Sequence, residues 1–136
     1  MKWSVDLQAA DEMSLHAAEG GVRSAQGKAE QILKEDILNR QGSGKVYRRG
    51  GREHQSSAPG EPPSPDLGNL KAETNADPNL IRDGSDVVGT ITADAEYAEA
   101  LEVGTERISP RPYFGLLISD HTQALQAAFD EGAQVE

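Results

Sequence analysis

Apolar residues recur at helical spacing in two stretches of this chain, one near each end. Between residues 11 and 41 they fall on one stripe of a helix, at Val22, Ala25, Ala29, Ile32, Leu33 and Ile37. After Pro110 they repeat at intervals of three and four, at Phe114, Leu117, Ile118, His121, Leu125, Ala128 and Phe129. The pattern predicts a long N-terminal helix and a C-terminal helix that starts at Pro112. A break or fraying near Gly20-Gly21 stays open, because glycine costs about 1 kcal/mol relative to alanine in a helix.

A hairpin and a proline-rich link follow the first helix. Residues 45–49 and 53–56 flank Gly50-Gly51, a pattern that is typical of a β-hairpin. Residues 56–65 are rich in serine, proline and glycine, and each residue before a proline is steered away from helical geometry. Residues 41–66 are therefore predicted to form an extended hairpin and Pro-rich arm, mobile in a free monomer.

A small sheet and a short helix are predicted next. Residues 80–82 and 87–92 have strand-like composition, and Asp83-Gly84 between them favours a tight turn. Residues 95–103 are predicted to be helical, with Gly104 as the C-terminal cap at positive φ. The fold class is thus α+β: a long N-terminal helix, a protruding β-hairpin arm, a small antiparallel sheet, a short helix and a C-terminal helix.

The composition indicates a thin hydrophobic core. Leu, Ile, Val and Phe supply 26 of the 136 residues, and the net charge is −10. Because apolar burial must offset about 1–2 kcal/mol of backbone entropy per residue, we expect a single domain over residues 1–136 that is best ordered inside an assembly. Cysteine is absent, which excludes disulfides and thiolate metal sites. Neither a secretion signal nor a membrane-spanning stretch is recognisable, so a cytoplasmic product is expected.

Charge is distributed unevenly along the chain. Residues 41–55 contain four basic residues against Glu53, whereas residues 77–106 contain eight acidic residues against Arg82. A basic arm and an acidic body on one chain suit head-to-tail contact between copies in a ring. Solvated charge with no partner is an equally weighted alternative.

Nucleotide and nucleic-acid motifs are weak. The segment Gly42-Ser43-Gly44-Lys45 departs from a phosphate-binding loop in its glycine spacing, and Val46 stands where a hydroxyl would ligate magnesium. The segment Arg48-Arg49-Gly50-Gly51-Arg52 is a single unit of an arginine–glycine tract in an acidic chain. Since phosphate affinity needs a sustained basic surface, contact with another protein is the favoured interpretation of this hairpin.

Catalytic and metal-binding patterns are equally weak. His16, His54 and His121 lack metal-ligand spacing, and His121 is expected to be a hydrogen-bonded core or interface histidine. His54 lies near Ser56 and Ser57, but no nucleophile elbow or oxyanion loop accompanies them. The carboxylates of residues 96–102 are interpreted as an exposed acidic helix face. We therefore expect no catalytic residue, no cofactor and no metal.

The stretch from Tyr97 to Phe114 carries the most information. A short helix is predicted to stop at Gly104 and a rigid turn to follow, with Tyr113 and Phe114 pointing inward. Glu102 and Arg111 are placed to pair across the turn and to fix the angle between the two helices.

Two blocks of sequence resemble one family. The pattern Tyr97-Ala98-x-x-x-Glu102-x-Gly104-Thr105, then Pro110-Arg111-Pro112-Tyr113, resembles the signature of head–tail joining and tail-component proteins of siphophages and related prophages. Upstream, Gly44-Lys45-Val46-Tyr47-Arg48-Arg49-Gly50, His54-Gln55-x-Ser57-Ala58-Pro59-Gly60-Glu61-Pro62-Pro63 and Gly68-Asn69-Leu70 are similar to that family's basic hairpin, proline-rich link and following turn. The sequence departs from the family where Gly115-Leu116-Leu117 replaces the more usual proline.

The resemblance implies a non-enzymatic virion subunit that is made in the cytoplasm of a bacterial host. It implies a hexameric or dodecameric ring in the neck, between the portal-side connector and the tail tube, with genomic DNA passing through the lumen and no membrane partner. Tail terminator and head-closure subunit are structural alternatives; a DNA-binding module and a toxin-like hydrolase are the alternatives from other classes. The residues implied at subunit interfaces are Lys45, Tyr47, Arg48, Arg49, Arg52, His54, Pro59, Pro62, Glu102, Gly104, Thr105, Arg107, Pro110, Arg111, Pro112 and Tyr113.

Overall fold

Two antiparallel helices dominate the computed structural model of the chain, which describes residues 3–9, 15–63, 69–83, 86–94, 97–107 and 109–134. Helix α1 covers Leu15–Glu35 and is followed by a 3-10 turn over Ile37–Asn39. Helix α4 covers Phe114–Ala133. The two helices lie against each other along their length, and the predicted N- and C-terminal helices are thereby confirmed.

Helix α1 runs through Gly20-Gly21 without a break. A Cβ atom on Gly20 would lie 2.6 Å from the carbonyl oxygen of Gly132, and one on Gly21 would lie 2.5 Å from the Phe129 ring. The glycines therefore let α1 and α4 approach closely. This packing stabilises α1 in spite of the low helix propensity of its glycine residues.

The sheet is built around the long strand β6, Asp86–Ala93. Strand β1, Trp3–Ala9, pairs antiparallel along one edge of β6, from Trp3 opposite Ala93 to Ala9 opposite Val87. Strands β4, Thr74–Ala76, and β5, Ile81–Asp83, pair with the other edge. Strands β5 and β6 confirm the predicted second hairpin, whereas β1 and β4 were not predicted from the sequence.

The connections from β4 to β5 and from β5 to β6 are short, whereas α1 and the hairpin arm lie between β1 and β4. Asp83 pairs with Asp86 in register, so two residues join β5 to β6, and the predicted turn residue Gly84 lies outside the described residues. Helix α2 covers Asn69–Ala72 and leads into β4. The predicted helix over residues 95–103 is α3, Ala98–Val103, and residues 95 and 96 also lie outside the described part.

The core lies where α1 packs on the sheet and on α4. Helix α1 contacts β1, β4 and β6 as well as α4. Polar side chains of α1 also tie it to the sheet region, because the buried Gln26 donates from Nε2 to the carbonyls of Asp77 and Thr90, each at 2.9 Å. The fully buried large side chains are Tyr113, Leu33, Ile37, Ile91, Leu117, Val22, Val87 and Thr74.

The α+β fold class is confirmed by this arrangement of helices, sheet and hairpin. Among the described residues, no helix is both long enough and apolar enough to cross a membrane.

Candidate docking site on the basic hairpin and its junction with the turn

The predicted hairpin is present as a two-stranded sheet of its own. Strand β2, Val46–Arg49, pairs with β3, Arg52–Gln55, in antiparallel register. Gly50 and Gly51 join them with φ values of 56° and 78°. Two successive positive φ angles are typical of the two-residue turn that matches the twist of a hairpin, and glycine adopts them at the lowest steric cost.

The register sorts the hairpin positions onto two faces. Tyr47 pairs with His54, and Arg49 pairs with Arg52. Directly opposite positions share a face, and successive positions alternate, so positions 45, 47, 49, 52 and 54 form one face, here named the Tyr47 face. Positions 46, 48, 53 and 55 form the other, here named the Glu53 face.

The two faces differ in charge. On the Glu53 face, Arg48 forms an ion pair with Glu53, at 2.7 Å between Nη2 and Oε1. On the Tyr47 face, the Lys45 ammonium lies 5.3 Å from the centroid of the Tyr47 ring, and both residues are exposed. Glu53 is the only acidic residue between positions 41 and 60. Among the described side chains of the hairpin, the cation without a counter-charge is therefore Lys45, on the Tyr47 face.

The base of the arm continues the strand pairing. The Gly44 N–H donates to the Ser56 carbonyl at 2.8 Å, and the Ser56 N–H donates to the Lys45 carbonyl at 2.9 Å. These bonds employ the glycine–lysine segment that superficially resembles a phosphate-binding loop. The N–H of Gly44 and the carbonyl of Lys45 thus pair the two sides of the arm at its base.

Glu61 organises the link that follows the hairpin. Its carboxylate accepts hydrogen bonds from the N–H of Ala58 at 2.7 Å, from the N–H of Ser43 at 3.0 Å and from the Ser43 hydroxyl at 2.7 Å. These donors, the Ala58 N–H foremost, lower the pKa of Glu61 to about 2. This role was not predicted from the sequence. The available signal was a single acidic residue in a Gly/Pro-rich stretch, where backbone N–H groups lack the partners that a helix or a sheet would supply.

The arm is fastened to the turn between α3 and α4. The Gly60 N–H donates to the Pro110 carbonyl at 3.0 Å. Arg111 donates from Nε to the Ser57 carbonyl at 3.3 Å and from Nη1 to the Ser109 carbonyl at 2.9 Å. The two sequence blocks that carry the family resemblance therefore meet in space.

Glu102 caps helix α4 and does not pair with Arg111. Its carboxylate is buried and accepts hydrogen bonds from the N–H groups of Tyr113 at 3.2 Å, Phe114 at 2.6 Å and Gly115 at 3.3 Å. The predicted ion pair is thus wrong: the N-terminus of a helix offers unsatisfied donors and positive dipole charge, and these bind the carboxylate. The Arg111 guanidinium donates hydrogen bonds to backbone carbonyls instead.

The aromatic residues after Pro112 face the interior, as predicted. Tyr113 is fully buried and Phe114 nearly so, and their ring centroids are 4.8 Å apart. Helix α4 begins at Phe114 rather than at Pro112, because the carboxylate of Glu102 caps the backbone from Tyr113 onward. Burial, reinforced by nearby Glu102 and Tyr97, raises the pKa of Tyr113. Its hydroxyl has no hydrogen-bond partner in the described part of the chain.

Gly104 ends helix α3 as predicted, with φ 80° and its N–H donating to the Ala100 carbonyl at 2.8 Å. Thr105 follows, and its hydroxyl accepts a hydrogen bond from the Arg107 N–H at 3.2 Å. Thr105, Arg107 and Pro110 are exposed, so this side of the turn faces solvent in the single chain.

The residues implied at interfaces fall into three groups. Pro62, Glu102 and Tyr113 are buried within the chain and hold its fold. For Arg49 and Arg52 the structure describes the backbone register only. The remainder have exposed or half-buried side chains in the single chain: Lys45, Tyr47, Arg48, His54, Pro59, Gly104, Thr105, Arg107, Pro110, Arg111 and Pro112.

The weak catalytic candidates are placed separately. Ser57 is buried and its carbonyl holds Arg111, whereas His54 lies on the hairpin opposite Tyr47. His121 is partly buried, with its Nε2 3.6 Å from Oδ2 of Asp36 and without a hydrogen-bond partner among the described residues. Within the described ranges, no group of three or more potential ligands is arranged for a metal ion.

Comparisons with protein-family models, with curated proteins and with solved structures found no match to this chain. The resemblance to head–tail joining proteins stays a prediction. Function is therefore inferred from the chain's own residues and their geometry.

Proposed function

We propose that this chain is a non-enzymatic structural subunit of a long-tailed phage or phage-like particle. In this proposal it forms a ring in the neck that joins the DNA-filled head to the tail tube. The observation that supports it best is the junction between arm and turn. Arg111 and Gly60 connect the basic hairpin block to the Gly104-Thr105 block, the two parts of the sequence that resemble the family.

The polar groups of this junction are engaged by the chain's own backbone. Glu102 accepts from three N–H groups, Arg111 donates to carbonyls, and Glu61 accepts from Ser43 and Ala58. These hydrogen bonds fix the direction in which the arm projects from the body, that is, from the rest of the domain. That role suits a subunit whose contacts with neighbours must repeat with the same geometry around a ring.

Identical chains that contact one another through two different surfaces form a ring when the rotation from copy to copy closes. The arm is basic, and residues 77–106 of the body are acidic. Contact between an arm and the body of the next copy is heterologous, and such contacts close into a ring when the rotation allows it. A hexamer or a dodecamer, seated between the portal-side connector and the tail tube, is the assembly that we propose.

A DNA-binding module is the second candidate, supported by the exposed Tyr47 ring beside Lys45. Aromatic rings and cations together bind single-stranded nucleic acid in many proteins. The net charge of −10 opposes this role, because the acidic body repels phosphate. Strongly salt-dependent DNA binding by the purified chain would favour it.

Electron microscopy of lysates tests the proposed function. A particle whose gene for this chain carries an early stop codon is expected to yield filled heads and complete tails that remain separate. Supplying the intact chain in trans should restore joined particles. Tails of uncontrolled length would instead indicate a terminator, and heads that lose their DNA would indicate a head-closure subunit. Normally joined particles without the chain would refute the structural role.

A further inference from the structure

We infer that the Tyr47 face of the hairpin, and not its Glu53 face, is the docking surface, and that its occupant is the acidic surface of a second copy of this chain. The inference rests on the proposed ring and names the contact that would build it. It assigns different roles to two cations that lie three positions apart in the sequence, Lys45 and Arg48.

Charge on the Glu53 face is already balanced. Arg48 donates to Glu53 from both Nε and Nη2, at 3.1 and 2.7 Å. A guanidinium held by a carboxylate on its own hairpin has little net charge to offer a partner. Arg48 is therefore assigned to the stability of the hairpin.

On the Tyr47 face, the charge of the described Lys45 side chain is not balanced within the hairpin. Among the described residues Lys45 has no carboxylate partner; its ammonium lies over the Tyr47 ring. A carboxylate from outside the hairpin would balance the charge of Lys45, and the exposed Tyr47 would add contact area.

The body of the same chain carries the complementary charge. Glu102 is not part of it, because its carboxylate is buried as the cap of α4. Arg82 is paired with Glu19, at 2.5 Å, and so does not offset the other acids of this region. The acidic residues of 77–106 that keep exposed or half-buried side chains are Asp77, Asp86, Asp94, Glu99 and Glu106.

A second copy fits the Tyr47 face better than nucleic acid does. The hairpin is an isolated two-stranded sheet, which is marginally stable alone and gains order from a partner. The acidic body of a second copy is the local complement that the chain itself supplies to this basic hairpin.

Carbodiimide cross-linking tests the contact, because the reagent condenses a lysine amine with a carboxylate that it touches. Equal amounts of unlabelled and 15N-labelled chain are mixed, so that links between copies carry both labels in the mass spectrum. The purified chain at high concentration and the intact particles are treated in parallel. Among the five lysines of the chain, Lys45 is expected to give the main inter-copy links, to carboxylates within residues 77–106.

The matched control exchanges the two cations. The double variant Lys45→Arg/Arg48→Lys keeps the net charge and moves the only reactive amine of the hairpin to the Glu53 face. Inter-copy links from the hairpin are expected to disappear, and a link within one chain to Glu53 is expected instead. Inter-copy links from position 48 would overturn the assignment of the face.

The remaining outcomes separate this inference from the proposed function. Particles that contain the chain in the neck, but whose Lys45 links to a different protein or to none, would overturn the second-copy contact and leave the neck role intact. Lys45 links between copies in solution, together with joined particles that lack the chain, would support the contact and refute the neck role. Salt-dependent DNA binding that is lost in Lys45→Gln and kept in Arg48→Gln would assign the Tyr47 face to nucleic acid and overturn the inference.

Discussion

The carboxylate of Glu102 lies 2.6 Å from the backbone nitrogen of Phe114 and joins the end of α3 to the start of α4. The same carboxylate also accepts from the N–H groups on either side of Phe114. The first turn of a helix has N–H groups without intrahelical partners, so a buried carboxylate satisfies them and complements the helix dipole. The turn that carries the family-like motif is thus anchored from inside the chain.

Replacing Glu102 by glutamine is expected to lower the free energy of unfolding by about 1–2 kcal/mol, since the cap loses its charge and one acceptor oxygen. Urea denaturation of both proteins under one condition measures the change. Glu99→Gln, on the same short helix, is the matched control and should stay within about 0.5 kcal/mol of the wild type. Equal losses in both variants would contradict the capping role.

Gly104→Ala is expected to destabilise the chain by about 1 kcal/mol or more. With φ 80° and ψ 173°, Gly104 occupies a region of backbone space that residues with a Cβ atom rarely enter. Thermal melts compare it with Val103→Ala, a change at an exposed neighbour that should have little effect. If the two variants melt at the same temperature, the geometry of the turn does not depend on glycine.

Gly20→Ala is expected to destabilise the chain by about 1–3 kcal/mol although alanine is the better helix former. The added Cβ atom would meet the backbone carbonyl of Gly132, which cannot move without separating α1 from α4. Gly27→Ala is the control in the same helix: nothing lies within 4 Å of its Cβ position, so it should gain about 0.5–1 kcal/mol. A stabilised Gly20→Ala variant would mean that the helices do not touch there.

Glu61 is expected to titrate with a pKa of about 2, well below the ordinary glutamate value of 4.5. Because the folded-state pKa is the lower one, the stabilisation that Glu61 gives the arm is fully present above about pH 4.5 and is lost as pH falls toward 2. Carbon-detected NMR of the carboxyl group follows the titration. Glu61→Gln should remove the pH dependence of the Ser43 and Ala58 amide shifts, and an ordinary midpoint in the wild type would refute these hydrogen bonds.

Hydrogen exchange is expected to show fast exchange of the amides of residues 45–57 in the free monomer and slow exchange in the assembled particle. The hairpin pairs only within its own small sheet, and its strand side chains are largely exposed. Amides of α1 near Leu33, which is fully buried, serve as the protected reference in both samples. Strong protection of the hairpin in the monomer would show that it needs no neighbour.

Local chemistry was enough to predict several elements from the sequence. Gly50-Gly51 between two strand-like segments specifies a hairpin, because two successive positive φ angles suit few other residues. The apolar stripe after Pro112 predicts α4, and Gly104 predicts the end of α3. Each of these signals lies within a few residues of the structure that it specifies.

Strand β1 and the capping role of Glu102 were not predicted from local sequence, because both depend on contacts that form only in the folded chain. Strand β1 has the alternation Trp3, Val5, Leu7, but seven residues become a strand through pairing with β6, about 80 positions further along the chain. Glu102 had two available partners, Arg111 and the N-terminus of α4. The buried N–H groups, which water does not reach, decided between them.

The sequence by itself determined where the chain turns, which helix faces are apolar and how charge divides between arm and body. Tertiary structure decided what those features contact. Gly20-Gly21 predicts a weak helix when read alone, yet α1 is continuous there because α4 packs against it. Lys45 and Arg48 are similar cations in the sequence, and the strand register sets Arg48 opposite Glu53, with which it forms an ion pair, whereas Lys45 lies over the Tyr47 ring. Contacts between distant segments depend on which surfaces meet after collapse, and spacing along the chain does not encode that.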